Sequence, residues 1–233
     1  MSGREMSVCS KTGHGLKDLK ASLIAGLDPV ESWRPDGPVA RSDFDLNAAR
    51  DTQAFPLNRT LRPAAVLVPV IARPEGPTVL LTRRADTLNS HSGQIAFPGG
   101  RLDEGETAVQ AALREAEEEV ALDRTGVEVL GLADTYETGT GFRITPVIGW
   151  LDRPPTLKAS EDEVAEIFEA PWSFLMDVTN HRRDHLDPPS GPRRWFWAMP
   201  YEERYIWGVT AGILRGLHAR VYGEVDDSHE QVA

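Results

Sequence analysis

The segment Gly100–Leu122, GRLDEGETAVQAALREAEEEVAL, constrains this chain more than any other. The Gly99-Gly100 pair permits a tight turn, and Thr107 to Val120 then runs without glycine or proline through good helix formers. Ala108, Ala111, Ala112 and Ala116 recur at helical spacing, which predicts a helix whose small-residue face packs closely on its neighbour. The same spacing puts Glu115, Glu118 and Glu119 at i, i+3 and i+4, within about a turn of one another, so ionising each raises the cost of ionising the next. A bound cation removes that conflict. Carboxylate oxygens suit Mg²⁺ or Mn²⁺, and Mg²⁺ takes a small number of carboxylates and completes its shell with water and substrate phosphates. Taken alone, the acidic run also fits a solvated helix face.

The neighbours in register decide between these readings. The segment resembles the Nudix box, G-x5-E-x7-R-E-U-x-E-E-x-G-U with U apolar, through Gly100, Glu106, Arg114, Glu115, Ala116, Glu118, Glu119 and Leu122. Ala121 stands where the pattern has glycine. If that glycine ends the helix in a left-handed conformation, alanine there costs roughly 1 kcal/mol and the helix is expected to run slightly further.

Upstream, Leu80 to Gly100 reads LLTRRADTLNSHSGQIAFPGG and is similar to the segment preceding the box in coenzyme A pyrophosphatases. Leu80, Leu81, Thr82, Arg84, Leu88, His91, Gly93, Gln94, Phe97, Pro98, Gly99 and Gly100 match that pattern, while Ala85 replaces a serine and removes one local hydrogen bond. The similarity extends through TGFRITPVIGW, ASEDEV and YIWGVTAGIL, about Ala64 to Val221.

The resemblance implies an α/β (α+β) fold, the Nudix α/β/α sandwich with a mixed central sheet; pattern alone supports only an α plus β domain. It implies a metal-dependent pyrophosphohydrolase cleaving the diphosphate linkage of coenzyme A or its derivatives to 3′,5′-ADP and 4′-phosphopantetheine products. Glu115, Glu118 and Glu119 would hold Mg²⁺ or Mn²⁺, and Arg114 would pair with Glu106 to tie loop and helix together. The general base is Glu119 or Glu163, the latter in ASEDEV. Arg84, Leu88, His91 and Gln94 are candidates for substrate contacts, Gly99 and Gly100 for close backbone approach to phosphate, and Gly93 for a chain turn. For Arg84 an ion pair with Asp86 or another acid is the alternative; for His91, a structural hydrogen bond. Trp195, Phe196, Trp197, Tyr201, Tyr205 and Trp207 either stack on a base or pack in a core or interface. A broader hydrolase of ADP-ribose or dinucleotides, and a nucleotide-sensing module without catalysis, are the competing functions. Family resemblance also suggests a homodimer.

Composition narrows the rest. A length of 233 residues with 40% hydrophobic content suits one domain with peripheral additions. A net charge of −11 argues against sequence-independent binding to a nucleic acid backbone, yet says little about a cleft where a metal and a few arginines reverse the field. Cys9 is the only cysteine, which rules out an intrachain disulfide and a cysteine-based zinc cluster. The absence of a long apolar run and the polar start MSGREMSVCSK lead to the expectation of a cytoplasmic protein without membrane association.

Along the chain, residues 1–63 read as a peripheral amphipathic helix (Leu16, Leu19, Leu23, Leu27) followed by an extended, proline-bearing arm. Residues 64–222 form the catalytic domain, and 223–233 a disordered tail. Strands are expected at AAVLVPVIA from Ala64, with Pro69 indicating an edge or bulge, and at Thr78–Thr82, paired across the Pro74–Pro77 turn. Further strands are expected at Gln94–Phe97, Val127–Thr135, Arg143–Trp150 and Arg194–Met199, and one entering a short helix near Pro171–Met176. A final amphipathic helix is expected over Ile206–Tyr222.

Overall fold

The strand from Arg62 to Ile71 (β2) organises the molecule, and the apolar run at its centre explains why. Its side chains alternate between two separate cores: Ala65, Leu67 and Ile71 enter one, Val68 and Val70 the other, so both faces of the strand are covered. The computed structural model describes residues 15–47, 59–86, 93–189 and 191–224.

β2 runs parallel to β8 (Phe142–Leu151) along its whole length, from Arg62 opposite Phe142 to Ile71 opposite Leu151. Its other flank pairs antiparallel first with β5 (Gly99–Arg101) and then with β3 (Thr78–Arg84). β3 also carries the short β4 (Ile95–Ala96) and, on its far side, β9 (Val164–Pro171). β8 carries β6 (Glu128–Leu132) and β7 (Tyr136–Glu137), and β7 is joined in parallel by β1 (Arg41–Ser42). A separate antiparallel sheet consists of β10 (Arg182–Leu186), β11 (Arg194–Tyr201) and β12 (Arg204–Trp207).

Four helices complete the described residues: α1 (Leu16–Gly26), α2 (Ala108–Val120), the single turn α3 (Trp172–Leu175) and α4 (Val209–Tyr222). The core on one face of the large sheet belongs to α2, whose Ala108, Ala111, Ala112 and Ala116 are buried on it as the small-residue stripe predicts. The opposite core holds Leu19 and Leu23 of α1, Leu214 and Leu217 of α4, and Met199 and Ile206 of the second sheet. This is a mixed sheet between helical layers, the α/β/α arrangement that the resemblance implies. Among the described residues no helix is long and apolar enough to cross a membrane.

Two expectations are corrected. β2 is central, not an edge: Pro69 falls where its second flank passes from β5 to β3, between the Val66–Gly99 and Val70–Val79 pairs, so its missing N–H breaks no ladder bond. The final helix starts at Val209 rather than Ile206, because Tyr205, Ile206 and Trp207 pair with β11 and Gly208, at φ 61°, turns the chain into α4. β1, β7 and β10 have no periodicity of their own and were not foreseen from pattern.

Candidate active site

The helix α2 begins with a capping box. Thr107 Oγ1 accepts from Gln110 N at 3.3 Å while Gln110 Oε1 accepts from Thr107 N at 2.8 Å, so two otherwise unpaired backbone donors are satisfied. The helix ends at Val120, and Ala121 takes the left-handed conformation (φ 54°, ψ 33°) with its N–H returned to Glu117 O at 2.9 Å. The anticipated extension does not occur: Leu122 is fully buried, and its burial fixes the turn despite the strain of alanine in that conformation.

Arg114 sits at the hub of the acidic face. Nε and Nη2 donate to Glu106 at 2.8 and 3.0 Å, Nη2 also to Arg101 O at 3.1 Å, and Nη1 to Glu115 at 3.0 Å and Glu118 at 3.1 Å. The bidentate Arg114 fork holds the Glu106 carboxyl below its usual range, and Glu106 in turn accepts from Asp103 N at 2.9 Å. Loop 101–106 and helix are thereby clamped together, the arrangement expected for this pair.

The three helix carboxylates differ sharply in setting. The Glu119 side chain is 4% exposed, that of Glu115 17% and that of Glu118 59%. Burial, followed by the neighbouring charges of Glu115 and Glu163, pushes the Glu119 carboxyl up to about 8; the Arg84 guanidinium, with Nη1 3.8 Å away, and the N–H of Gly99 oppose that rise. Glu115 is also raised, chiefly by burial. The side chains share a face but do not converge on a point: among the described residues no three His, Cys, Asp or Glu side chains are arranged to hold a metal ion. Like charges separate, and Arg114 takes one oxygen from each of Glu115 and Glu118.

Gly99 and Gly100, expected to form a turn, instead pair with Val66 and Ala65 as strand β5, and facing these carboxylates they leave no room for side chains. A Cβ on Gly100 would lie 2.3 Å from Glu115 Oε1, and one on Gly99 would lie 2.4 Å from Ala65 O, so β5 passes directly under the carboxylates. Arg84 and Gln94 are brought to the same edge by backbone bonds: Arg84 N donates to Gln94 O at 3.0 Å and Gly93 N to Arg84 O at 3.2 Å. Gly93, at φ 68°, makes the turn assigned to it. Asp86 pairs with Arg83 at 3.2 Å, so the partner of Arg84 is Glu119 instead. Leu88 and His91 lie outside the described residues, as does Cys9.

A Nudix domain model matches residues 61–190 of the chain. The chain belongs to the Nudix family. It is 44% identical over 163 residues, 69% of this chain and 83% of the relative, to the uncharacterized Nudix hydrolase NudL of Cronobacter sakazakii. NudL of Escherichia coli K12 is 42% identical over the same length and shares. Among solved structures, a binary complex of the Ap4A hydrolase of C. elegans is 22% identical, with a TM-score of 0.42 over 49% of this chain and 82% of that one. On the family model and the NudL relatives the chain is a Nudix hydrolase, and α2 is its Nudix helix.

Glu163 comes to the Nudix helix by main-chain bonding. Ser160 N donates to Glu119 O at 2.9 Å and Lys158 N to Val120 O at 3.0 Å; Glu163 N donates to Ser160 O at 3.0 Å, and Glu163 O accepts from Ala85 N at 2.9 Å. The 158–163 segment is therefore laced between the end of α2 and the end of β3, with the Glu163 side chain exposed. These ties have no side-chain signature, which is why the sequence does not show them.

On the α4 side of β3, Arg83, Gln94, Glu166, Arg204, Tyr205 and Trp207 border a cleft of about 880 Å³. Arg204 and Glu166 of this cleft carry no motif and were missed in the sequence. Of the aromatic set, Trp197 packs inward under Arg183 and Arg215, Phe196 packs on Trp207, Trp195 on His185, and Tyr201 on Phe174. Tyr205 is 39% exposed and donates to Asp184.

Proposed function

We propose that this Nudix hydrolase acts on nucleoside diphosphate derivatives, and specifically cleaves the diphosphate linkage of coenzyme A or its derivatives to 3′,5′-ADP and 4′-phosphopantetheine products. One observation carries the reading: Arg84, from the segment similar to coenzyme A pyrophosphatases, stands against Glu119 of the Nudix helix, so the two motifs meet at one place.

The donor set suits a divalent cation. Glu119 is buried beside two further carboxylates, an accumulation of negative charge that a hard cation relieves, and carboxylate oxygens are the donors Mg²⁺ and Mn²⁺ prefer. Glu115, Glu118 and Glu119 would hold it. When bound, the cation neutralises phosphate charge and acidifies water. The chain's own residues do the rest. The Gly99-Gly100 backbone lets the diphosphate approach the helix, and Arg84 places a guanidinium beside it. Glu163, exposed to solvent and fixed by its backbone bonds, accepts the proton of the attacking water at its carboxylate as the P–O–P bridge opens. Glu119 is the second candidate for that role, but its burial suits a ligand better. Arg114 keeps Glu115 and Glu118 on one face and touches no reacting atom in this scheme.

This reading includes a homodimer in the cytoplasm and no nucleic acid or membrane partner. The domain division is 1–63, 64–222 and 223–233. ADP-ribose or dinucleotide hydrolysis is the second reading, and a non-catalytic sensor the third; retention of Arg114, Glu115, Glu118 and Glu119 favours catalysis over sensing.

The test is a product-resolved screen of coenzyme A, ADP-ribose and dinucleotides with Mg²⁺ and then Mn²⁺, on the parent and on Glu119→Gln and Glu163→Gln. We expect 3′,5′-ADP from coenzyme A, loss of turnover by Glu119→Gln through lost metal binding, and a kcat reduced roughly 10²- to 10⁴-fold with metal binding intact for Glu163→Gln. Faster turnover of ADP-ribose than of coenzyme A would move the substrate assignment to the second reading.

A further inference from the structure

The two arginines at the site are used very differently. Arg114 spends its donors on Glu106, Glu115, Glu118 and Arg101 O. Arg84 has a loose ion pair with Glu119 at 3.8 Å, while its Nε is buried and finds no hydrogen-bond partner. A guanidinium with a buried, unspent donor is held in place by its surroundings, yet its hydrogen-bonding capacity is not met there. Its backbone is fixed by Gln94 O and Gly93 N, so the side chain has a rigid base from which to reach either Glu119 or an anion entering over the glycines of β5.

We propose that Arg84 is the built-in counter-ion of Glu119, competing with the divalent cation for that carboxylate and released to the substrate diphosphate once the cation arrives. The inference rests on the reading of Glu119 as a metal ligand and adds a coupling to it. A fixed positive charge within about 4 Å of a ligand oxygen repels a dication held by the same oxygen. An anionic diphosphate draws the guanidinium away and removes that repulsion, so substrate strengthens metal binding and metal strengthens substrate binding by the same factor. Arg84 is then a positioning residue for Glu119 and a substrate contact in turn. Premature metal loading is disfavoured, and loading with substrate present is favoured. Arg114 cannot play this part because its fork is committed to Glu106 and the 101–106 loop.

The experiment is Mn²⁺ titration of the full chain, followed by the electron paramagnetic resonance signal of free Mn²⁺, with and without methylenediphosphonate as an uncleavable diphosphate. Parent, Arg84→Gln, Arg84→Lys and Glu119→Gln are compared, each with its circular dichroism spectrum as a check of folding. Without the diphosphonate, Arg84→Gln is expected to bind Mn²⁺ roughly threefold to tenfold more tightly than the parent, with Arg84→Lys close to the parent. The diphosphonate should tighten Mn²⁺ binding in the parent by several-fold more than in Arg84→Gln. Equal or weaker Mn²⁺ binding by Arg84→Gln would overturn the proposal while leaving the metal site standing. Parent-like Mn²⁺ binding by Glu119→Gln, or none by the parent, would instead overturn the metal-ligand reading and the coupling with it.

Discussion

Gly100 illustrates how a single residue couples the chain's path to its chemistry. The Glu115 carboxylate occupies the volume a Cβ would need, and that carboxylate is the far end of a flexible side chain, so Gly100→Ala displaces it without unfolding β5. We expect Gly100→Ala to weaken Mn²⁺ binding and lower turnover at least tenfold with an unchanged circular dichroism spectrum; parent-like values for both would show that the close approach has no role. Ala121 shows the opposite case. The family pattern has glycine there, and the left-handed geometry is retained although alanine makes it costlier by roughly 1 kcal/mol. At this scale the shared face of the carboxylates and the Arg114–Glu106 pair were legible, because helix-face neighbours and short-range ion pairs require particular side chains at particular spacings. The Arg84–Glu119 contact was not legible, since it joins residues on different elements and β3 offers two adjacent arginines: Arg83 takes Asp86 and Arg84 takes Glu119.

Among elements, α4 carries an arrangement the sequence pattern does not announce. His181 Nε2 donates to Leu175 O at 2.7 Å, and its Nδ1 accepts from Arg215 Nη1 at 3.3 Å, so both ring nitrogens are engaged by the neutral form. His218 lies edge-on to it at 5.9 Å, Arg215 packs over Trp197, and Asp177 and Glu224 act on the two rings from the neighbouring segments. Burial first, then the Arg215 and His218 charges, lowers His181 to about 4 against an ordinary 6.5. Between these values the unfolded chain binds the proton and the fold does not. The contribution is therefore full above about 6.5 and is lost as pH falls toward 4. Urea midpoints of the parent should drop through that window, and His181→Gln should flatten the drop; parallel pH curves for the two proteins would remove the assignment. Of the elements, α2 and the β2–β3 hairpin were readable because period and turn chemistry agree along them. β10 was not, because it has no period of its own, and the boundary of α4 was not, because pairing of Tyr205, Ile206 and Trp207 with β11 overrides a local pattern compatible with helix.

For the whole molecule, the two cores on either side of β2 make the N-terminal helix part of the folded unit. Leu23 is 0% exposed within the core shared with α4, and Arg220 of α4 donates to Gly26 O at 3.0 Å and Asp28 at 2.8 Å. Leu23→Ala should cost about 2–5 kcal/mol and shift a single urea transition rather than split it. An unchanged midpoint would show that α1 folds and unfolds apart from the catalytic domain. The net charge of −11 has no bearing on this packing, and Arg84 and Arg114 offset only part of the negative charge of the carboxylates around them.

By itself the sequence determined the Nudix helix, its acidic face and its small-residue packing stripe. Each of these is written in the type and spacing of residues along one segment, and short-range geometry converts spacing into position. Tertiary structure alone decided which arginine meets Glu119, how Glu163 is laced to the helix end, and why Pro69 can lie in a central strand. Those depend on backbone bonds and pairings between segments far apart in the chain, where no local period records the partner.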